Sequence, residues 1–203
     1  MKTIPLLLGL SIMTGGAHAA IVYSGVQNIP IPYTFAGIYV NPLTLATSTT
    51  EPVSFNSSPW INFGFGGVDI SNGDLLTPVV VAGDVVENLF SLTLVDSSLS
   101  FTLGASASST HMGTGAGQFQ ASTSGYLGFS FRPTVGGSTH YGWAQVTLRD
   151  DGSAGDIVAW AYENIPSTAI PVGVVPEPSS SLLLALLGLL SCRRKRYEIA
   201  PLR

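Results

Sequence analysis

The chain has 203 residues, with 8 basic and 12 acidic side chains, a net charge of −4 and 45% hydrophobic residues. The charge is unevenly placed: between Ala20 and Pro178 only Arg132 and Arg149 are basic against eleven acids, which gives this part a charge of −9. A segment with two arginines and no lysine has no basic patch for phosphates, so nucleic-acid binding is excluded, and its acidity favours cation binding or simple solubility.

Met1 to Ala19 reads as a secretory signal peptide. Lys2 is the positive n-region, Ile4 to Met13 the apolar h-region, and Ala17-His18-Ala19 the small-residue site at which signal peptidase leaves Ala20 as the mature start. The single cysteine, Cys192, lies near the C-terminus, so residues 20–172 hold no disulfide and no thiolate metal site and rely on core burial.

No stretch in residues 20–172 keeps a capped helical period. Short alternating segments recur between Gly, Asn, Asp and Pro clusters: Ile21 to Ser24, Tyr33 to Val40, Trp60 to Phe65, Leu75 to Val81, Phe90 to Val95 and Leu99 to Leu103. Gly125 to Arg132, Tyr141 to Leu148 and Ile157 to Glu163 follow, and their alternation predicts a β-meander in which Tyr141 and Trp143 face opposite to Gly142, Ala144 and Val146. The expected fold is all-β, a two-sheet antiparallel β-sandwich of jelly-roll-like or Ig-like type. Gly104 to Gly125, built almost wholly of small residues, reads as a loop with a strand at one end.

Within this domain the chemistry is sparse. His111 and His140 stand apart from any cysteine or acid, no Gly-x-Ser-x-Gly elbow is present, and no Gly-rich loop opens a helix, so neither catalysis nor a cofactor is expected. Two acidic stretches, Asp69 to Asp74 and Asp150-Asp151 to Asp156, have the carboxylate spacing of a turn and are weak candidates for Ca²⁺. Trp60, Trp143, Trp160, Tyr126, Tyr141 and Tyr162 are either core or sugar-stacking aromatics, and exposed tryptophan would distinguish the two.

The C-terminal segment, residues 173–203, has its own logic. Pro176-Glu177-Pro178 ends the folded part, because proline fixes φ and cannot continue a helix from upstream. Ser179 to Cys192 reads as an uncharged, Leu-rich stretch; as a helix its 14 residues would cover roughly 21 Å, short of the roughly 30 Å hydrocarbon core. Arg193-Arg194-Lys195-Arg196 supplies a positive-inside stop, although Tyr197 to Arg203 follow it. This order of motif, apolar run and basic cluster resembles the PEP-CTERM sorting signal of Gram-negative bacteria. The resemblance implies recognition by an exosortase, a transient stay in the inner membrane, and delivery to the cell surface or an extracellular matrix. Tyr141-Gly142-Trp143 with Ala159-Trp160-Ala161-Tyr162-Glu163 looks like the C-terminal half of many such exported proteins.

The sequence therefore points to a signal peptide (1–19), an exported β-domain (20–172) and a sorting signal (173–203). The domain reads as a non-enzymatic structural or exopolysaccharide-associated protein. A carbohydrate-binding module, which needs aromatics exposed on a sheet face or loop edge, and a secreted hydrolase, which needs a pocket where a histidine meets an acid, stay open.

Overall fold

The computed structural model describes residues 20–82, 85–104, 117–149 and 154–176, and among them every regular element is a strand. The expected signal helix, with Ala17 and Ala19, and the C-terminal apolar helix lie outside the described residues. In chain order the strands are β1 (Ile21–Tyr23), β2 (Ile29–Pro30), β3 (Ile38–Val40), β4 (Thr47–Ser48), β5 (Ile61–Gly64), β6 (Asp69–Asn72), β7 (Leu76–Pro78) and β8 (Val80–Val81). They continue with β9 (Val85–Val86), β10 (Asn88–Leu89), β11 (Leu94–Val95), β12 (Ser124–Phe131), β13 (His140–Thr147), β14 (Asp156–Glu163) and β15 (Ile170–Pro171).

The meander β12–β13–β14 is the centre of a seven-stranded antiparallel sheet, with β10 and β7 along β12 and β1 and β2 along β14. A four-stranded sheet, in the order β4–β3–β5–β6, shares a core with it. Ile38, Val40, Ile61, Phe63 and Ile70 of the smaller sheet meet Leu127, Phe129, Phe131, Ala144, Val146, Ile157 and Trp160 of the larger one. The opposite face of the large sheet is buried too. There Tyr141, Trp143 and Ala161 pack with Val95, Ile170 and Val172, beneath the β11–β15 ribbon. Burial on both faces explains why β13 carries Tyr141 and Trp143 on one side and Ala144 and Val146 on the other.

Two local devices make this packing possible. Gly142 pairs with Phe129 across β12 and β13, and a Cβ there would stand 2.5 Å from the Phe129 ring, so glycine gives that ring its place. A β-bulge where β14 meets Gln145 and Val146 shifts the register, so Gln145 pairs with Ala159 and Val146 with Ile157. The extra residue, Val158, reverses the parity of β14, and Ile157 and Trp160, three apart, both reach the core between the sheets.

Several expected strands are shorter than the sequence suggests. Tyr33 to Val40 narrows to β3, because Thr34 turns the chain by accepting from Gly37 N at both its carbonyl (3.2 Å) and its hydroxyl (3.1 Å). Phe90 to Val95 narrows to β11, since Leu92 takes φ 69° in a turn closed by Thr93 N donating to Phe90 O. Leu99 to Leu103 contributes only the bridge of Phe101 to Val79. Leu75 to Val81 divides into β7 and β8.

Candidate functional site

The four-stranded sheet turns a polar row outward. Ser48, Tyr39, Asn62 and Ser71 are register partners across β4, β3, β5 and β6, while their strand neighbours Ile38, Ile61 and Ile70 enter the core. The stretch of residues 49–60 folds back over part of this face: Phe55 meets Tyr39 edge-on at 5.3 Å, and Trp60 Nε1 donates to Ser54 Oγ at 3.0 Å.

Beside that cover lies a solvent-facing cleft of about 170 Å³, lined by Phe35, Tyr39, Glu51, Asn62, Phe65, Asp69 and Ser71. Its rim is aromatic. Phe35 is 83% exposed and stands edge-on to Phe65 with ring centroids 5.9 Å apart. Phe65 and Gly66 both have positive φ, 49° and 76°, in a turn closed by Gly67 N donating to Gly64 O at 3.0 Å. A phenylalanine in the left-handed region is strained, and such strain concentrates at ligand clamps.

The floor is held in place. Asn62 is buried and its Nδ2 donates to Ala36 O at 2.7 Å, fixing the loop that carries Phe35. Burial, and then the neighbouring Glu51 carboxylate, push the Tyr39 phenol above its ordinary range, so it stays a neutral hydroxyl. The cleft therefore combines two carboxylates, a phenol, an amide and a serine hydroxyl with an exposed aromatic edge and no cationic side chain. That set can accept hydrogen bonds from several hydroxyls and stack on an apolar ring face; it repels anions.

The residues singled out from the sequence are placed differently. Asp69 belongs to β6 and pairs with Gly64, so Asp69 to Asp74 is not an acidic turn: Ile70 alternates into the core and holds the segment extended. Asp156 lies in β14 and accepts from Arg149 Nη2 at 3.1 Å, while Asp150 and Asp151 lie outside the described residues. Among the described residues no three His, Cys, Asp or Glu side chains are grouped to hold a metal. His140 stacks on Phe131, and its Nδ1 is 2.9 Å from the backbone carbonyl of Glu163, not from a carboxylate. Trp60, Trp143 and Trp160 are 8%, 2% and 2% exposed, so the tryptophans are core and not a sugar-stacking surface. Tyr141 is buried with them, and Tyr126 packs edge-on against Trp143 at 5.7 Å.

Of the cleft residues, sequence reasoning singled out Asp69 alone, as part of a cation candidate, and missed the rest. Glu51 is the one acid before Asp69 in the domain, and Phe63-Gly64-Phe65-Gly66-Gly67 is a turn signal with an aromatic inside it. Together they mark the place, but only the sheet register joins them.

At the C-terminal end the chain leaves the fold abruptly. Val172 is fully buried and exchanges backbone hydrogen bonds with Leu92 and Thr93 at 2.9 Å each, whereas Val175 is 41% exposed and Pro176 is at the surface. Glu177, Pro178 and the cluster Arg193, Arg194, Lys195 and Arg196 lie outside the described residues, and among those described no helix is long and apolar enough to cross a membrane. No curated protein and no solved structure matches the chain. The family model described as the PEP-CTERM protein-sorting motif matches residues 174–196, beginning where the backbone emerges from the fold. The chain thus carries a PEP-CTERM sorting signal, and this implies a protein exported and sorted by an exosortase to the cell envelope or surface of a Gram-negative bacterium.

Proposed function

We propose that the delivered domain is a non-enzymatic β-sandwich of the cell surface or extracellular matrix that holds exopolysaccharide in the cleft between Phe35 and Ser71. The supporting observation is the cleft itself: an aromatic rim beside hydroxyl, amide and carboxylate groups, with no cation. A pyranose offers an apolar C–H face to Phe35 and a ring of hydroxyls to Glu51, Asp69 and Asn62. The aromatics that stack are those on loops at the sheet edge, not the buried tryptophans. In this reading signal peptidase frees Ala20, the apolar tail holds the chain briefly in the inner membrane, and the exosortase acts near Pro176, Glu177 and Pro178.

The test is a binding titration of the mature protein against exopolysaccharide from the native host, with mass spectrometry of the protein recovered from surface and medium. The expected result is saturable binding that falls at least about tenfold in Phe35→Ala and Glu51→Gln, with a mature form that begins at Ala20 and ends near the Pro-Glu-Pro region. Binding unchanged in both variants sinks the cleft, and release of reducing ends from the polymer sinks the non-enzymatic reading.

A further inference from the structure

Glu163, the last residue of β14, is only 3% exposed, yet no side-chain cation reaches it among the described residues. Between Ala20 and Pro178 the chain has two basic residues, and both are engaged elsewhere: Arg149 with Asp156 at 3.1 Å and Arg132 with the carbonyl of Asp74 at 3.2 Å. His140 on β13 faces the backbone carbonyl of Glu163 and leaves its carboxylate alone. A buried carboxylate without a counter-charge is costly, and removing or supplying that charge has a large effect on folding.

What the Glu163 carboxylate does meet is the nitrogen of Ala20, which donates to Oε1 at 3.0 Å and lies 3.2 Å from Asn164 Oδ1. Oε1 also accepts from Ile165 N at 3.0 Å, and Asn164 N donates to Ala20 O at 3.2 Å. The pairing of Ile21 with Glu163 in β1 and β14 fixes Ala20 in that position. Two acceptors thus converge on one nitrogen, and a peptide N–H carries a single hydrogen to share between them. An α-ammonium carries three hydrogens and a charge.

We infer that Glu163 and Asn164 form an acceptor for the N-terminal ammonium that export creates at Ala20. This rests on the reading of residues 1–19 as a signal peptide. Hydrolysis adds water across the Ala19–Ala20 peptide bond, leaving a carboxylate on Ala19 and an ammonium on Ala20. The new charge stays on the edge of the large sheet and neutralises Glu163, so the fold is completed electrostatically only after the leader has been removed. Ala20 itself is exposed, which leaves room for the leader before cleavage and keeps the gain below that of a fully dry ion pair.

The experiment uses residues 20–203 carrying a removable N-terminal extension. Removing the extension to expose Ala20 raises the melting temperature by about 3–6 °C, and in Glu163→Gln the same removal changes nothing. Equal melting temperatures in the unsubstituted protein, or a gain that persists in Glu163→Gln, overturn the inference. A pH series on the unsubstituted pair needs no variant to fold. Pairing raises the α-amine above its ordinary value of about 8, so the gain is present below that pH and vanishes as the amine loses its proton. A gain of the same size near pH 11 overturns the proposal. Mass spectrometry of the native protein tests the cleavage position separately: a start other than Ala20 sinks the signal-peptide boundary and leaves the chemistry of the Ala20 form to be read from the melting data.

Discussion

The indole nitrogen of Trp160 donates to the carbonyl of Pro42 at 3.1 Å, joining β14 of the large sheet to the segment that follows β3 of the small one. Both partners are buried. Trp160→Phe would shrink the core and leave that carbonyl without its donor, at a cost of about 2–4 kcal/mol. Urea denaturation should show a lower midpoint with an unchanged slope.

Gly142→Ala should destabilise the domain by about 1–3 kcal/mol, because the added methyl meets the Phe129 ring and the carbonyl of Ala161 inside the large sheet. A double variant, Gly142→Ala with Phe129→Leu, should recover part of the loss. Additive melting-temperature losses in the two variants would show that the ring and the glycine are not coupled.

Phe35→Ala, by contrast, should leave stability within about 0.5 kcal/mol, since the ring is mostly in solvent. Its effect should appear in saccharide binding alone. Thermal melts and titrations on the same preparation separate the two effects.

The phenols give a pH signature. Burial raises Tyr162, and burial with the Glu51 carboxylate raises Tyr39. A proton held more tightly in the folded state contributes stability that is complete below the unfolded-state value of about 10 and is lost as pH rises through the folded-state value. Stability should therefore decline above pH 10, less steeply in Tyr39→Phe. Ultraviolet titration should show the Tyr39 midpoint falling in Glu51→Gln, where the repelling charge is gone.

Ending the chain after Val175 should leave the melting temperature unchanged, whereas Val172→Asp should lower it sharply by placing a charge in the core beneath β11 and β15. Differential scanning calorimetry on both forms measures this boundary directly.

The meander was legible in the sequence because Leu127, Phe129 and Phe131, and then Tyr141 and Trp143, alternate without interruption. Nothing local announced β6. Asp69-Ile70-Ser71-Asn72 is made of turn-forming residues around a single isoleucine, and only its pairing with β5 makes it a strand. The parity change in β14 was equally hidden, because a bulge depends on its partner strand as much as on its own residues. The cleft follows the same rule: Phe35, Glu51 and Asp69 come from separate segments, and the sheet register and the loops it carries bring them together. The sorting signal needed no tertiary information at all, since its parts are contiguous in residues 174–196.

The pairing of β1 with β14 also sets a clock. Ala20 and Glu163 are 143 residues apart, so the first segment of the domain to be delivered waits for nearly the last before it finds its partner. Closing so long a loop is slow relative to forming the meander, whose neighbours are adjacent in the chain. The meander should assemble early and the N-terminal strand dock last. Until then the outer edge of β14 is an open template for any extended chain that reaches it, and a rapid, undiluted burst of export would favour entanglement between copies over the correct closure of each one.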